Sequence, residues 1–314
     1  MVAKDNQSVV TDFTLQVLSS QPGTQTVLFI VFLVVYLFSM VGNILIVAVV
    51  RADCQLQSPM YFFLANLSFV DICYISSFIP QMLVNFVIKK STISFSGCAA
   101  QTCFSLVFGI TECVLLGVMA CDRYMAICHP LLYTTVMNRK VCTHMVVACW
   151  ISSLLSSTVI NGLTWQLPFC GPNTLNHYFC EVPALLVLAC TDTAFLELVI
   201  SIFNILIALI PFLLIVFSYT CIFITILKAQ SAFVQYKTFS TCGSHLMVVT
   251  IFYGTLICIY MNPTSRTRQD RDKVVSLFYC IGTPVLNPLI YSLRNKDMKR
   301  ALRRAMNSPQ SLFI

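Results

Sequence analysis

Long apolar segments recur along the whole chain, and short polar segments separate them. Each apolar segment has roughly the ~20 residues that a helix needs to cross a bilayer. We therefore predict an all-α membrane protein, a seven-transmembrane helix bundle. The predicted crossings, numbered first to seventh, are residues 26–50, 59–88, 98–119, 141–168, 198–227, 239–261 and 274–293.

The composition agrees with one membrane domain, because 58% of the residues are hydrophobic and 10% are charged. We expect an N-terminal tail at 1–25, the membrane domain at 26–293 and a cytosolic segment at 294–314. Most Lys and Arg residues fall on the side of the C-terminus, which places that side in the cytosol and the N-terminus outside. The net charge of +7 then reflects contact with an anionic lipid bilayer, with no nucleic acid as a partner.

The N-terminal segment carries targeting and modification signals. No cleavable signal peptide is visible in residues 1–25, so the first crossing is expected to target the chain. Asn6 opens an Asn-x-Ser glycosylation pattern on the predicted outer side. Asn66 fits the same pattern, but it lies within a crossing and is out of reach.

Sixteen cysteines are too many for one role, and most lie in crossings, where they act as small apolar packing residues. Cys98, Cys170, Cys180 and Cys190 lie on the predicted outer side, where disulfides persist. We expect two bridges among these four, and the sequence leaves their three possible pairings open. The Cys and His spacing of a zinc site is absent from the sequence.

The segment 119–130, MACDRYMAICHP, follows an apolar helix and places an acid, a permanent cation and a phenol in succession at Asp122, Arg123 and Tyr124. An Arg at a helix end can be held by a neighbouring Asp in one state. In another state it can turn inward and donate to the backbone carbonyls of a protein partner. We interpret the segment as a switch at the inner face of the membrane.

Two carboxyl groups lie well inside the predicted crossings, Asp71 in the second and Glu112 in the third. Buried ionisable groups in a membrane are costly and point to function. A sodium-like cation held between them, with Asn43 and Asn287 as neutral oxygen donors, would offset their burial, and so would protons on the carboxyls. Hydrogen-bonded packing residues are the remaining alternative.

The seventh crossing ends in 284–295, PVLNPLIYSLRN, where Pro288 removes a backbone hydrogen bond and kinks or loosens the helix. Although proline is common in membrane helices, its neighbours Asn287 and Tyr291 favour a hinge. The following segment, 296–306, places apolar side chains opposite Lys and Arg. This pattern predicts a short amphipathic cytosolic helix at the membrane interface.

These features together resemble a family. The chain is similar to rhodopsin-like G-protein-coupled receptors and, within them, to vertebrate odorant receptors of the tetrapod type. The resemblance covers almost the whole chain, and its motifs occur in the family order. They are Gly42-Asn43, 59–74 (PMYFFLANLSFVDICY), 119–130, Ser218-Tyr219, 237–246 (KTFSTCGSHL) and 284–295.

The resemblance implies the pairs Cys98–Cys180 and Cys170–Cys190, and a sodium-like site around Asp71 and Glu112. It also implies a protein that is not an enzyme, lies in the plasma membrane of olfactory cilia and activates a stimulatory, olfactory-type G protein. The residues assigned to the switch are Asp122, Arg123, Tyr124, Tyr219, His245, Asn287, Pro288 and Tyr291. The chain departs from the family at Cys121 and Met125, where Tyr and Val are more usual, and these departures affect expected basal activity more than coupling.

The ligand site is predicted partly from missing groups. The outer part of the third crossing lacks the acid that an amine ligand needs, and the seventh lacks the Lys that retinal needs. An apolar pocket with a few hydroxyls suits a small, neutral odorant. A ligand of about ten to fifteen heavy atoms would bind there with micromolar-range affinity. The predicted contacts are Ser105, Leu106, Gly109, Ile110, Cys113, Phe203, Asn204, Ile207, Tyr253, Leu256, Ile257, Tyr260, Ser276, Leu277 and Cys280.

Other functions fit less well. A transporter would show an internal repeat with broken helices, and an intramembrane hydrolase would place a nucleophile and a base at membrane depth. The sequence shows neither pattern. A receptor of the same architecture for a non-volatile ligand, expressed outside the nose, is the closer alternative, and the residues do not separate it from olfaction.

Overall fold

The predicted helix bundle is confirmed by a computed structural model, which describes residues 11–16, 18, 21–88, 91–170, 173–228, 231–260 and 269–307. In the described residues, the crossings are accompanied by the 3-10 helix Cys54–Leu56 and by the shorter α-helices α5 (Pro130–Val136), α7 (Val182–Leu186) and α11 (Lys296–Asn307). The crossings are α1 (Pro22–Ala52), α2 (Pro59–Ser76) with α3 (Ile79–Ile88), α4 (Phe95–Cys128), α6 (Arg139–Thr164), α8 (Ala194–Lys228), α9 (Ala232–Tyr260) and α10 (Gln269–Arg294).

The bundle exposes apolar side chains, as a protein surrounded by lipid does. On α1, Val27 is 59% exposed and Val34 is 59% exposed, whereas Asn43 on the same helix is fully buried. Within the described residues, the first five crossings are long and apolar enough to span a bilayer, and Cys242–Ile257 forms a shorter apolar stretch of α9.

Local chemistry explains where helices begin and end. Pro22, Pro59 and Pro130 each occupy the first turn of a helix, where a missing N–H costs nothing. The Ser94 hydroxyl accepts from the Gly97 N–H at 3.1 Å and caps α4. Because the next proline is Pro130, α4 continues through residues 120–128, so the switch segment lies in its last turns rather than after it.

The second crossing is broken, which the sequence prediction of one helix over 59–88 missed. α2 ends at Ser76, two turn residues follow, and α3 resumes at Ile79. Pro80 explains the break, because its ring clashes with the carbonyl four residues earlier and it cannot donate a helical hydrogen bond. The Ser77 hydroxyl and the Ser77 N–H both donate to the Tyr74 carbonyl, at 2.6 and 3.0 Å, and close the last turn of α2.

A small sheet closes one end of the bundle. β1 (Asp12–Leu15) pairs antiparallel with β2 (Thr92–Ser94) and parallel with β3 (Thr174–Leu175). Phe13 and Leu15 of β1 are buried against the loops, so part of the predicted N-terminal tail is an integral element of the fold. We call this the sheet end, and the opposite end, where α11 lies, the α11 end.

Two glycines permit close helix contacts at prolines. A Cβ on Gly42 of α1 would lie 2.8 Å from the Pro288 Cβ of α10, and one on Gly117 of α4 would lie 3.0 Å from the Pro211 Cβ of α8. Because real Cβ atoms do not approach so closely, each glycine lets a proline-containing helix pack directly on its neighbour.

Proline also leaves a carbonyl of the preceding turn without its helical hydrogen bond, and side chains of α1 donate to one such carbonyl. Pro288 cannot donate to the Pro284 carbonyl one turn earlier. Ser39 and Asn43 of α1 donate to that carbonyl instead, at 2.8 and 2.9 Å. The carbonyl that Pro288 leaves without a helical donor is therefore satisfied by side chains of the first crossing.

Candidate ligand site and switch

The switch segment forms a buried cluster at the α11 end. Arg123 forms an ion pair with Asp122, and its Nε donates to the Asp122 Oδ2 at 3.0 Å. The Tyr133 hydroxyl of α5 donates to the other carboxylate oxygen at 2.8 Å. Burial, reinforced by the Asp122 charge, raises the pKa of Tyr133, so its hydroxyl stays protonated and remains a donor.

Tyr133 was not among the predicted switch residues. Its distance of eleven residues from Asp122 gives no periodic signal, because His129 and Pro130 turn the chain between the two helices. Tyr124 was predicted as a switch residue, and its hydroxyl instead lies 3.0 Å from the His129 Nε2. Tyr124 therefore supports the turn after α4 rather than the ion pair.

Tyr219 and His245, both assigned to the switch, meet between α8 and α9. The Tyr219 hydroxyl lies 2.6 Å from the His245 Nδ1, and the two rings stack with centroids 5.8 Å apart. His245 is 1% exposed. The contact joins the fifth and sixth crossings.

The two membrane acids lie in a fully buried polar centre. Asn287 of α10 donates to the Asp71 Oδ2 at 2.8 Å, and Glu112 of α4 is 1% exposed. Among the described residues, six buried side-chain oxygens have no hydrogen-bond partner, and five of them belong to Asp71, Glu112 and three neutral side chains of the crossings. These are the Asn43 Oδ1, the Ser68 Oγ, the Asp71 Oδ1, the Glu112 Oε1 and the Asn287 Oδ1. Two carboxylates with neutral oxygens nearby are a donor set that suits a hard cation.

The end of α10 is packed tightly against the rest of the α11 end. Tyr291 is fully buried, and its hydroxyl has no hydrogen-bond partner among the described residues. The Tyr61 hydroxyl of α2 donates to the Asn295 Oδ1 at 3.1 Å, just before α11 begins. Pro288 packs on Gly42, so the predicted hinge lies against the first crossing.

Helix α11 is amphipathic, as predicted, and both its apolar and its polar face contact the rest of the bundle. Met298 and Ala301 are buried. On the polar face, Arg304 contacts the Asp53 Oδ2 through Nε at 3.2 Å and Nη2 at 2.5 Å. Burial tends to raise the pKa of Asp53, but the Gln55 N–H and Arg304 outweigh it, so the pKa is lowered.

Cys113 connects three crossings in the middle of the bundle. Pro211 leaves the Ile207 carbonyl of α8 without a helical donor, and the Cys113 thiol of α4 lies 3.5 Å from that oxygen. The Tyr253 hydroxyl of α9 lies 3.2 Å from the same sulfur. We call this contact the Cys113 junction; it brings together Cys113, Ile207 and Tyr253, all predicted ligand contacts.

Four further predicted contacts pack in two apolar clusters towards the sheet end. Leu106 and Phe203 pack in one apolar cluster with Ile160 of α6. Leu277 packs in a second cluster with Cys280, also predicted, and with Phe179 from the loop after β3. The clusters place side chains of α4, α8 and α10 around the sheet end of the bundle.

The other predicted contacts differ in their surroundings. Ile110 is buried, Asn204 and Leu256 are half-buried, and Ile257 is 43% exposed on the outside of α9. Ile257 therefore faces away from the helices that pack on α9. The side chains of Tyr260 and Ser276, like all of Asn6, lie outside the described residues.

Two small residues of α4 contact the second crossing. A Cβ on Gly109 would lie 3.8 Å from the Tyr74 ring, an ordinary contact. The Ser105 Oγ lies 3.2 Å from the Ser77 Oγ at the break between α2 and α3. The break was not visible from periodicity, so the role of the second crossing in this site was missed.

The loop between α6 and α8 covers the sheet end and is fixed covalently. The structure pairs Cys98 with Cys180 and Cys170 with Cys190, the pairing implied by the resemblance. The Cys180 N–H also donates to the Gln101 Oε1 at 2.7 Å.

Phe179, the residue before Cys180, enters the bundle. Its ring packs on Phe78 with centroids 5.4 Å apart. Sequence reasoning missed Phe179, although its position beside a predicted disulfide was the available signal.

The sequence is similar to known proteins over most of its length. The family described as "Olfactory receptor" matches residues 32–308. Olfactory receptor 2D2 of Homo sapiens is 50% identical over 299 residues, covering 95% of this chain and 96% of its own. The chain belongs to the olfactory receptor family. The receptor is also 47% identical to olfactory receptor-like protein OLF1 of Canis lupus familiaris over 96% of this chain and 97% of that one.

A solved structure agrees with the bundle. The crystal structure of squid rhodopsin superposes with a TM-score of 0.74 and 15% identity, covering 96% of this chain and 91% of that one. The receptor thus has the seven-helix fold of rhodopsin. Its membership of the olfactory receptor family makes it a multi-pass membrane receptor, coupled to a G protein, for a small-molecule ligand. It is not an enzyme.

Proposed function

We propose that this receptor binds small, neutral, largely hydrophobic volatile ligands among the third, fifth, sixth and seventh crossings. Ligand binding activates a stimulatory, olfactory-type G protein and raises cyclic AMP. The observation that carries the proposal is the position of the Cys113 junction, which links the Cys113 thiol, the Ile207 backbone carbonyl and the Tyr253 hydroxyl across three crossings.

The chemistry of the site supports a neutral ligand. Its described side chains are apolar or carry neutral hydroxyl, amide and thiol groups, as at Ser105, Asn204 and Tyr253. A buried ammonium or carboxylate would find no counter-ion among these residues, and an uncompensated charge is costly to bury. Apolar surface with a few oriented polar groups is typical of a small-molecule pocket.

Activation is a population shift. The Asp122–Arg123 pair, with Tyr133, holds the inactive conformer, and contacts between the ligand and α9 favour one in which α9 moves outward. Arg123 is then free to donate to the carbonyls of the G protein. A ligand shifts this equilibrium only by the ratio of its affinities for the two conformers.

The sheet end is extracellular in this proposal and the α11 end is cytosolic. The basic residues Arg300, Arg303 and Arg304 on α11 support this orientation, because cytosolic segments carry excess positive charge. Disulfides at the sheet end agree with an oxidising outer compartment. Asn6 is then on the glycosylated side, and olfactory neuron cilia are the proposed location.

A sodium ion is proposed for the polar centre. Asp71 and Glu112 would supply charged ligands, and Asn43, Ser68 and Asn287 neutral oxygens; the oxygens without partners support this assignment. The ion would neutralise two buried carboxylates. If it binds there, the melting temperature of the purified receptor should rise on replacing choline chloride with sodium chloride, and Asp71→Asn should abolish that difference. An equal rise in the variant would contradict the site.

The signalling proposal is tested in cells that co-express the receptor and a stimulatory G protein. Neutral volatile compounds are screened by cyclic AMP with Arg123→Ala and, as a matched control, Arg139→Ala at an exposed site on α6. The first variant should lose the response and the second should keep it, at equal surface levels. An unchanged response in Arg123→Ala would overturn the switch assignment.

A further inference from the structure

A cavity of about 360 Å³ lies at the side of the bundle, separate from the proposed ligand site. It opens where the second crossing breaks, between the start of α3, β2 and the first turns of α4. Phe104, which is 54% exposed, and the exposed Ala100 form its outer rim. Both rim residues lie in the predicted third crossing and are exposed, so we expect this side of the cavity to face the lipid.

The cavity has one polar wall, which is unusual for a surface that faces lipid. Ser77, Gln81 and Gln101 line it together with Thr92 of β2. The Gln81 Nε2 donates to the Asn85 Oδ1 at 2.9 Å and lies 3.4 Å from the Thr92 carbonyl. These bonds offset the cost of placing the Gln81 amide beside apolar surface.

None of the residues that line the cavity is ionisable. The volume falls within the range of small-molecule sites, about 300–1,000 Å³. A charged headgroup would gain no ion pair from this lining, whereas a hydroxyl could bond the amides and leave an aliphatic tail against Phe104. The lining therefore favours a neutral amphiphile over a fatty acid or a phospholipid headgroup.

The polar wall contacts two elements of the proposed ligand site. The Ser77 Oγ lies 3.2 Å from the Ser105 Oγ, and Gln101 donates to the Ser77 carbonyl at 3.1 Å. Gln101 also accepts from the Cys180 N–H of the covering loop. Occupancy of the cavity would therefore act on one residue of the ligand site and on the loop above it.

We propose that this cavity is a second binding site, open to the membrane, for neutral hydroxyl-bearing amphiphiles such as medium-chain aliphatic alcohols. Binding there modulates the proposed ligand site through Ser77 and Gln101. The modulation rests on the proposed function, whereas the binding does not.

Binding is tested with the full-length receptor in lipid nanodiscs, using a medium-chain alcohol that carries a photoreactive diazirine in its tail. Labelled peptides from α3, β2 and the start of α4 are quantified by mass spectrometry. Ala100→Trp fills the rim and should remove most of this labelling. Ala148→Trp, at an exposed alanine on α6, is the matched control and should leave labelling unchanged.

A second variant keeps the cavity open. Gln81→Leu should lower labelling by the alcohol about fivefold, which is the change in affinity expected for the loss of one hydrogen bond. Labelling by the matching diazirine alkane should stay unchanged. A fatty acid of equal length should not compete. Equal labelling in wild type, Ala100→Trp and Gln81→Leu, or competition by the acid, would overturn the proposal.

The modulation is measured separately by the potency of a cyclic AMP response in wild type and Ser77→Ala, with and without the alcohol. An alcohol-dependent shift that Ser77→Ala removes supports the coupling, and the same shift in both overturns it. Specific labelling in a receptor that raises no cyclic AMP would uphold the second site while the proposed function fails.

Discussion

The two ends of the receptor are held together by different kinds of interaction. At the sheet end, two disulfides, a three-stranded sheet and packed aromatic rings fix the loops, as in the contact of Phe13 with Phe169 at 5.8 Å. At the α11 end, an ion pair and hydrogen bonds between side chains connect the helices, as at Arg123, Asp122 and Tyr133.

This difference fits the role that the proposed function gives to each end. Covalent bonds and backbone pairing preserve a binding site whose shape must persist, whereas side-chain hydrogen bonds can exchange partners at a cost of about 1–3 kcal/mol each. A switch needs two arrangements of similar free energy. Changes at the sheet end should therefore affect folding, and changes at the α11 end should affect signalling.

The largest effect is expected at the Cys98–Cys180 disulfide. Cys98→Ser should reduce surface expression strongly, since losing a native disulfide costs about 2–5 kcal/mol in small extracellular domains. Cys170→Ser opens a loop with a separation of 20 residues rather than 82, and the chain-entropy difference makes its effect smaller by about 1 kcal/mol. Surface staining under matched expression measures both, and an equal loss would contradict the ranking.

At the α11 end, Tyr133→Phe should raise basal cyclic AMP. The change removes a hydrogen bond to the Asp122 carboxylate worth about 1.5–3 kcal/mol, or roughly tenfold or more in the conformer ratio. Tyr124→Phe, which loses a contact with His129 instead, is the control. Unchanged basal signal at equal surface level would show that Tyr133 does not restrain the switch.

The Cys113 junction lies between the two ends, and an intermediate effect is expected there. Cys113→Ala removes the thiol from the Ile207 carbonyl and from the Tyr253 hydroxyl, at a cost of about 1 kcal/mol or several-fold in ligand potency. Surface expression should stay near wild type. A loss of expression with unchanged potency would assign the junction to folding alone.

The smallest effect is expected at Asp53 and Arg304, because exposed ion pairs contribute about 0–1 kcal/mol. Because the pKa of Asp53 is lowered, the ion pair contributes fully to the free energy of unfolding above pH 3.8, the ordinary pKa of Asp. This contribution disappears as the pH falls through the lowered pKa of Asp53. The melting-temperature difference between wild type and Asp53→Asn should therefore be small and constant from neutral to mildly acidic pH. A difference that changes across that range would contradict it.

The sequence predicted elements better than contacts. Apolar length located the crossings to within a few residues at most ends, and amphipathicity located α11. It missed the break at Ser77, although Pro80 signalled it, and it missed β1, whose partners are distant in sequence. It also assigned Ile257 to the inward face of α9. Residues at i, i+3 and i+4 spacing cover a wider strip of the helix surface than the strip that neighbouring helices bury.

Family membership and the bundle follow from the sequence itself, because apolar runs of bilayer length and ordered motifs are local properties of the chain. Local rules do not say which helix supplies the donor for a carbonyl that proline has freed. The tertiary structure assigned the Pro284 carbonyl to Ser39 and Asn43, and the Ile207 carbonyl to Cys113. The same holds for Tyr133 on Asp122 and for the cavity beside α3, since each depends on how separate helices pack.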